Sequence, residues 1–284
     1  MSDTKKQVTD VHCWGGLGSQ LFAVALIYDL KLRFPNCNYS LVLHSSGVTK
    51  RVPEIANLSF SIEFRVVDDF IVDGEKRTLS RPVKILKSIV RRLALSTGVL
   101  ASADNDREYQ NIKPWTRQIR GHYSRRSISH QFLIDLEERL NTQACKKSLS
   151  LGNLTVHYRL GDLLSLAEKD PIEDYRLAKE IARVQENHPG KITLFSDSPN
   201  VALELLGKYG IESDITHSNL KTIDVLNVAR QSNYFVGTSS KISYWIICLR
   251  KLRGDITNSS MPATDLANLT PLIGEEAAKA ITYY

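Results

Sequence analysis

The 284-residue chain has only four cysteines, Cys13, Cys37, Cys145 and Cys248. None forms a CxxC pair, and no His/Cys cluster has zinc-ligand spacing. That argues against a zinc-built fold and against a disulfide framework. Cys13 and Cys248 lie in apolar runs, as buried thiols do, and a reducing cytoplasm is the expected setting. Residues 1–10 are polar and hold no apolar stretch of the kind a signal peptide needs. The longest apolar runs fall short of the ~20 residues that span a bilayer, so a soluble or peripheral protein is expected. Low-complexity tracts are missing, which argues against extensive disorder. No convincing DxD-type acidic pair is present. Asp68-Asp69 is a charged pair that reads more simply as a solvated loop.

What is present suits two α/β domains. Hydrophobic residues make up 42% of the chain, enough for cores of their own. The formal charge of +6 favours an anionic partner: a nucleotide, a nucleic acid or an acidic membrane surface. Nucleic acid is the weakest of these, because the aromatics are scattered rather than interleaved with Lys and Arg.

Val8–Trp14 reads as a strand, a glycine turn follows, and residues 19–33 have helical periodicity. Strands are expected at 39–43 and Glu63–Val67, and helices at Arg81–Ser96 and 128–142. Arg81–Ser96 has Val83, Leu86, Ile89, Val90 and Leu93 on one side and Lys84, Lys87, Arg91 and Arg92 on the other. It could dock on anionic lipid or sit as a surface helix with a solvated basic face. The polar stretch 143–152 marks a domain boundary, with domains 1–148 and 149–284. Strand and helix alternate again beyond it, with strands at 154–158, 191–195 and Tyr234–Gly237. Polar residues follow several strand ends, where open parallel sheets bind ligands.

Four segments carry chemistry, and each also has a purely structural reading. Gly15-Gly16-Leu17-Gly18-Ser19-Gln20 could bring backbone N–H groups to an anion at a helix start, or be a tight turn. In His157-Tyr158-Arg159-Leu160-Gly161-Asp162, His157 and Arg159 alternate onto one side of a strand. They could hold a diphosphate, with Asp162 orienting Arg159, or form a structural network. Ser196-Asp197 ends a strand, where Asp197 could bind a base or ribose, or cap a helix. Thr238-Ser239-Ser240, preceded by Asp224 in a helix, could cradle phosphate or simply cap the helix that follows.

Taken together, the segments resemble the α-1,2-fucosyltransferase family and its wider superfamily. Gly15-Gly16-Leu17-Gly18-Ser19-Gln20-Leu21-Phe22 is similar to the family's Gly-Gly-Leu-Gly-Asn-Gln-Leu-Phe. Gly121-His122-Tyr123 echoes its Gly-Tyr-Phe-like turn. His157, Arg159 and Asp162 fit its His-x-Arg-Arg-x-Asp, and Phe195-Ser196-Asp197 its Phe-Ser-Asp. Asp224, Ser239, Ser240, Ser243 and Trp245 match its closing segments, and the resemblance covers residues 8–262.

The resemblance implies an α/β fold of the GT-B kind, two Rossmann-like domains facing across a cleft. It implies an inverting, metal-independent enzyme with no cofactor, moving a deoxyhexose from a GDP-sugar to a glycan or lipid-linked oligosaccharide, as in surface polysaccharide synthesis. Arg159 would hold the β-phosphate with help from Ser240. His157 and Asp224 would contact the nucleotide, with Asp197 in the same pocket. The family's second Arg is Leu160 here and its Asn is Ser19, and both departures imply an altered sugar pocket. Fucose or a relative such as colitose is therefore expected as the sugar. Another nucleotide sugar, or an inactive sugar-nucleotide-binding relative, stands as the alternative. For the general base, Asp162, His12 and His44 are candidates.

Overall fold

The computed structural model describes residues 8–46, 50–69, 81–142, 153–160, 174–217 and 221–284. The chain divides into two compact units, Met1–Ser129 and His130–Tyr284.

The first unit opens with β1 (Val8–Trp14), α1 (Leu17–Arg33) and β2 (Asn38–His44). It continues with β3 (Glu63–Val67), α2 (Arg81–Ser96), β4 (Leu100–Ser102), α3 (Asp106–Gln110) and β5 (Gln118–Arg120). The strands form one parallel sheet in the order β3-β2-β1-β5-β4. Helix α1 starts where Gly15, at φ +125°, turns the chain out of β1; a side chain there would collide with Ser19 Oγ. It stops before Pro35, which cannot continue a helix. Between these limits its Leu21, Phe22, Val24, Ala25 and Ile27 are buried, so this helix covers one face of the sheet with apolar surface.

The second unit contains α4 (His130–Thr142), β6 (Leu154–His157), α5 (Asp174–Asn187), β7 (Ile192–Phe195), α6 (Pro199–Gly207) and β8 (Ile215–His217). It goes on through α7 (Thr222–Ala229), β9 (Tyr234–Gly237), α8 (Lys241–Arg253) and β10 (Ser259–Met261), and closes with α9 (Leu266–Ile273), α10 (Glu275–Lys279) and β11 (Thr282–Tyr283). Its sheet is parallel throughout, in the order β11-β10-β9-β6-β7-β8. Leu154, Val156, Leu194 and Val236 from three adjacent strands pack with Leu177 and Ile181 of α5. The winding direction reverses between β6 and β9, which lie side by side. At such a reversal the two flanking connections leave in opposite directions and open a crevice at the carboxyl ends of the strands.

The α/β class and the two Rossmann-like units are those the sequence implied. The units divide one helix earlier than the 148/149 boundary expected; that boundary falls in 143–152, outside the described residues. Helix α4 groups with the second unit because it packs into it. Phe132 sits edge-on to Trp245 at 5.8 Å, and Glu137 pairs with Arg230 and Arg253. Strands β4, β8, β10 and β11 and helices α9 and α10 were not anticipated. Their two to eight residues leave too few periods for a hydrophobic pattern to register.

Candidate functional site

The reversal point in the second unit gathers most of the residues singled out in the sequence. His157 ends β6 and Gly237 ends β9, and they are register partners. A side chain at 237 would run into Met261 Sδ and the Phe235 ring, so close strand packing demands glycine there. Past these ends the two chains are joined through Thr238. Its N–H and its hydroxyl both donate to His157 O at 3.1 Å, and its hydroxyl accepts from Arg159 N at 3.0 Å. Thr238 is fully buried, so its hydroxyl couples the two strand ends rather than facing out.

Asp197, just beyond β7, accepts the Leu160 N–H at 2.8 Å and lies 3.9 Å from Arg159 Nε. Arg159 keeps 31% of its side chain exposed, so the guanidinium is held near a carboxylate while still reachable by an anion. Ser196 Oγ accepts from Ser198 N at 3.1 Å and shapes the turn into α6. Asp224 lies in the first turn of α7. A helix that follows a parallel strand starts at the end where strands finish, so Asp224 is on the same side of the sheet. Asp162 lies outside the described residues.

The Ser239-Ser240 pair is more structural than its sequence suggested. Ser240 caps α8, its Oγ accepting from Ser243 N at 3.0 Å. Ser239 Oγ donates to Asp265 Oδ2 at 2.8 Å, and Asp265 Oδ1 takes the Tyr244 hydroxyl at 2.6 Å. Burial holds the Asp265 carboxyl above its ordinary range against these hydrogen bonds. Neither Asp265 nor Tyr244 stood out in the sequence. Nothing local marks an Asp 25 residues past a serine pair as its partner. With the hydroxyls committed, the cationic end of the α8 dipole and the Arg159 guanidinium are the groups suited to an anion.

His157 belongs to the same network. Ser240 Oγ donates to Ser243 Oγ at 3.2 Å, and Ser243 Oγ lies 2.8 Å from His157 Nδ1. The Ser243 hydroxyl, with Ser240 Oγ 3.5 Å from Nδ1, thus faces the Nδ1 side of the ring. Burial lowers the His157 pKa to about 4; Asp197 opposes this and Arg159 adds to it. The ring is thus neutral at pH 7 and does not compete with Arg159 for charge.

The side chain of Leu160 belongs to the core with Val156, Leu177 and Leu194 and is 1% exposed. The expectation that residue 160 alters the sugar pocket is therefore corrected. The strand's alternation turns this position inward, and only its N–H serves the site.

The glycine turn lies in the first unit. Gly16 caps α1 without a side chain, and Gly18 is buried in its first turn. Ser19 Oγ packs against Gly15. Gln20 is 1% exposed; its amide donates to Gly15 O at 3.2 Å and Val52 O at 2.7 Å and accepts from Ile55 N at 2.9 Å. Gln20 thus fixes the turn from behind, and the backbone at Gly15 and Gly16 is what the turn presents. Among the described residues no group of His, Cys, Asp and Glu is placed to hold a metal ion. A cavity of about 670 Å³ lined by Asn153, His188, Tyr234 and Asn258 lies at the amino ends of β6, β9 and β10, away from the strand ends that carry His157 and Arg159.

No family model matches the chain, and no curated protein matches it. Solved structures do align along most of its length. The E. coli heptosyltransferase WaaC with ADP aligns at 13% identity and a TM-score of 0.49, covering 98% of this chain and 92% of that one. The S. aureus MnaA–UDP co-structure aligns at 10% identity and a TM-score of 0.48, covering 96% and 94%. POFUT1 in complex with GDP aligns at 13% identity and a TM-score of 0.41, covering 92% and 99%. At these identities the likenesses concern the fold alone.

Proposed function

We propose that the protein is a glycosyltransferase that takes a deoxyhexose, fucose or a close relative, from its GDP-sugar and transfers it to a glycan hydroxyl with inversion. The observation that carries this reading is the meeting of His157, Arg159, Asp197 and the capped start of α8 at the reversal point of the second sheet. The diphosphate would lie against Arg159 and the start of α8, with the nucleoside toward His157 and Asp224. As the glycosidic bond breaks, charge develops on the leaving diphosphate. A guanidinium and a helix dipole held in place beforehand stabilise it without reorganising. In this reading the donor binds the second unit, and neither metal nor cofactor takes part.

The acceptor in this reading is lipid-linked, and α2 supports it. Leu86, Ile89, Val90 and Leu93 are 62%, 49%, 57% and 60% exposed and share one side of the helix, with Arg91 and Arg92 beside them. An apolar stripe flanked by arginines suits the surface of an anionic bilayer. No described helix is long and apolar enough to cross one.

Thermal-shift screening against GDP, UDP, CMP and their sugars tests the donor. Stabilisation by GDP and its sugars is expected, and a response to UDP or CMP alone would overturn it. Arg159→Ala is expected to lower transfer by roughly 10²–10³-fold while the protein stays folded. Transfer at the wild-type rate would rule out the role given to Arg159. Binding of GDP-fucose with neither transfer nor hydrolysis would identify an inactive relative instead.

A further inference from the structure

The second unit has a cavity that the donor residues do not use. It opens at the amino ends of the strands, and its volume of about 670 Å³ is within the range of pockets that hold small molecules. Asn153 ahead of β6, residues 231–234 ahead of β9, His188 beyond α5, and Asp255 and Asn258 ahead of β10 bound it. Asn153 and His157 stand at opposite ends of β6, roughly 13 Å apart along the extended chain, so a single sugar ring in the cavity does not reach the donor residues.

The walls are fixed from behind. Arg250 is fully buried in the last turn of α8. Its guanidinium donates to the carbonyls of Ser232 at 2.6 Å, Asn233 at 3.1 Å, Asp255 at 3.1 Å and Asn258 at 3.2 Å. One side chain thereby ties the segment before β9 to the segment before β10. Asn153 ties in the third wall: its amide donates to His188 O at 3.2 Å, and its side-chain carbonyl accepts from Asn233 Nδ2 at 2.7 Å. A Cβ on Gly190 would stand 2.6 Å from Asn153 Cβ, so this close approach requires glycine. The His188 ring stacks on Tyr234 at 4.0 Å and 18°. Other polar groups of the lining are uncommitted. The side chains of Gln231 and Asn258 and the Tyr234 hydroxyl have no hydrogen-bond partner among the described residues. A frame held in place, with donors and acceptors left open, needs little ordering when a ligand arrives.

The chemistry of the lining selects the ligand. Carboxamides and a phenol present donors and acceptors side by side, as a run of hydroxyl groups requires. The nearby charges are matched: Arg253 lies 3.1 Å from Glu137 Oε1 and 3.6 Å from Asp255 Oδ2. Helices α5, α7 and α8 all end on this side, and the negative ends of their dipoles disfavour an anion. The Arg250 guanidinium behind the walls disfavours a further cation. An apolar ligand would strip water from the carboxamides and return no hydrogen bonds. The stacked rings add one flat apolar surface, suited to the C–H face of a pyranose.

We propose that this cavity is a binding site for a neutral saccharide, separate from the donor site. It rests on the cavity and its lining and does not require the donor reading. On an enzyme that acts on glycans, it would tether the chain and raise its effective concentration.

Saturation-transfer NMR on the full chain with lactose, maltose and cellobiose, each with GDP in excess, tests the proposal. At least one of the three should bind with millimolar affinity, and glucosamine and glucuronic acid should bind more weakly. Gln231 and Asn258 are exposed, so Gln231→Ala and Asn258→Ala leave the fold intact. Each, like Tyr234→Phe, should weaken binding by roughly 3–10-fold while the thermal response to GDP stays that of the wild type. Binding of none of the three disaccharides, or binding that ignores all three substitutions, would overturn the site. A preference for the charged sugars would overturn the ligand class. Displacement of the disaccharide by GDP would put the sugar in the donor site and overturn the proposal as well. A chain that binds a disaccharide here but no GDP would remove the donor reading and leave this site standing.

Discussion

At residue 160, side chain and backbone do different jobs. The N–H is held by Asp197 and so fixes the segment that carries Arg159, while the leucine side chain fills the core below. Leu160→Arg, which would restore the pattern of the fucosyltransferase family, would drive a guanidinium into that core without a counter-charge. It should lower stability by roughly 2–4 kcal/mol and leave the choice of sugar unchanged. Urea unfolding and donor competition measure the two effects, and a stable variant with a new donor preference would refute the placement of this side chain. Residue types at 157, 159 and 197 were legible as polar strand ends because they close runs of apolar residues. The inward turn at 160 was not, since a motif records which residues follow one another and not which way each points.

At the scale of elements, α2 was read from its pattern, and the structure adds that the apolar stripe from Leu86 to Leu93 is exposed. Co-sedimentation with phosphatidylglycerol vesicles should therefore retain the protein at low salt and release it as salt screens Arg91 and Arg92. Leu93→Asp should abolish retention, as should vesicles of phosphatidylcholine alone if the arginines supply the attraction. Binding that ignores both salt and Leu93 would discard the docking surface. The long strands and amphipathic helices were legible because their periods repeat several times. The three-residue strands β4 and β8 were not, because pairing with a neighbour, and not their own composition, makes them strands.

Across the whole molecule, each unit carries one histidine held neutral by burial: His12 in the first and His157 in the second, both lowered from 6.5 to about 4. Between these values the unfolded chain binds protons that the native units refuse, so stability rises with pH through this window. It is complete above about pH 6.5 and is lost as the pH falls toward 4, on the order of 2–3 kcal/mol for each unit. In the second unit Asp265 works in the opposite direction, because its raised pKa favours the native state in acid. The denaturant midpoint should fall between pH 7 and 5, and less steeply in His157→Asn; a flat profile would contradict the burial of both rings. The sequence alone determined the α/β class and the polar strand ends that carry His157, Arg159 and Asp197, because periodicity and the composition of strand ends are local properties. Only the tertiary structure decided that Leu160 faces the core, that Asp265 partners Ser239, and that His12, His44 and Asp69 form one chain. Those relations join residues from 25 to more than 30 positions apart, and only the parallel pairing of strands and the packing of helices against them bring such residues within hydrogen-bonding distance.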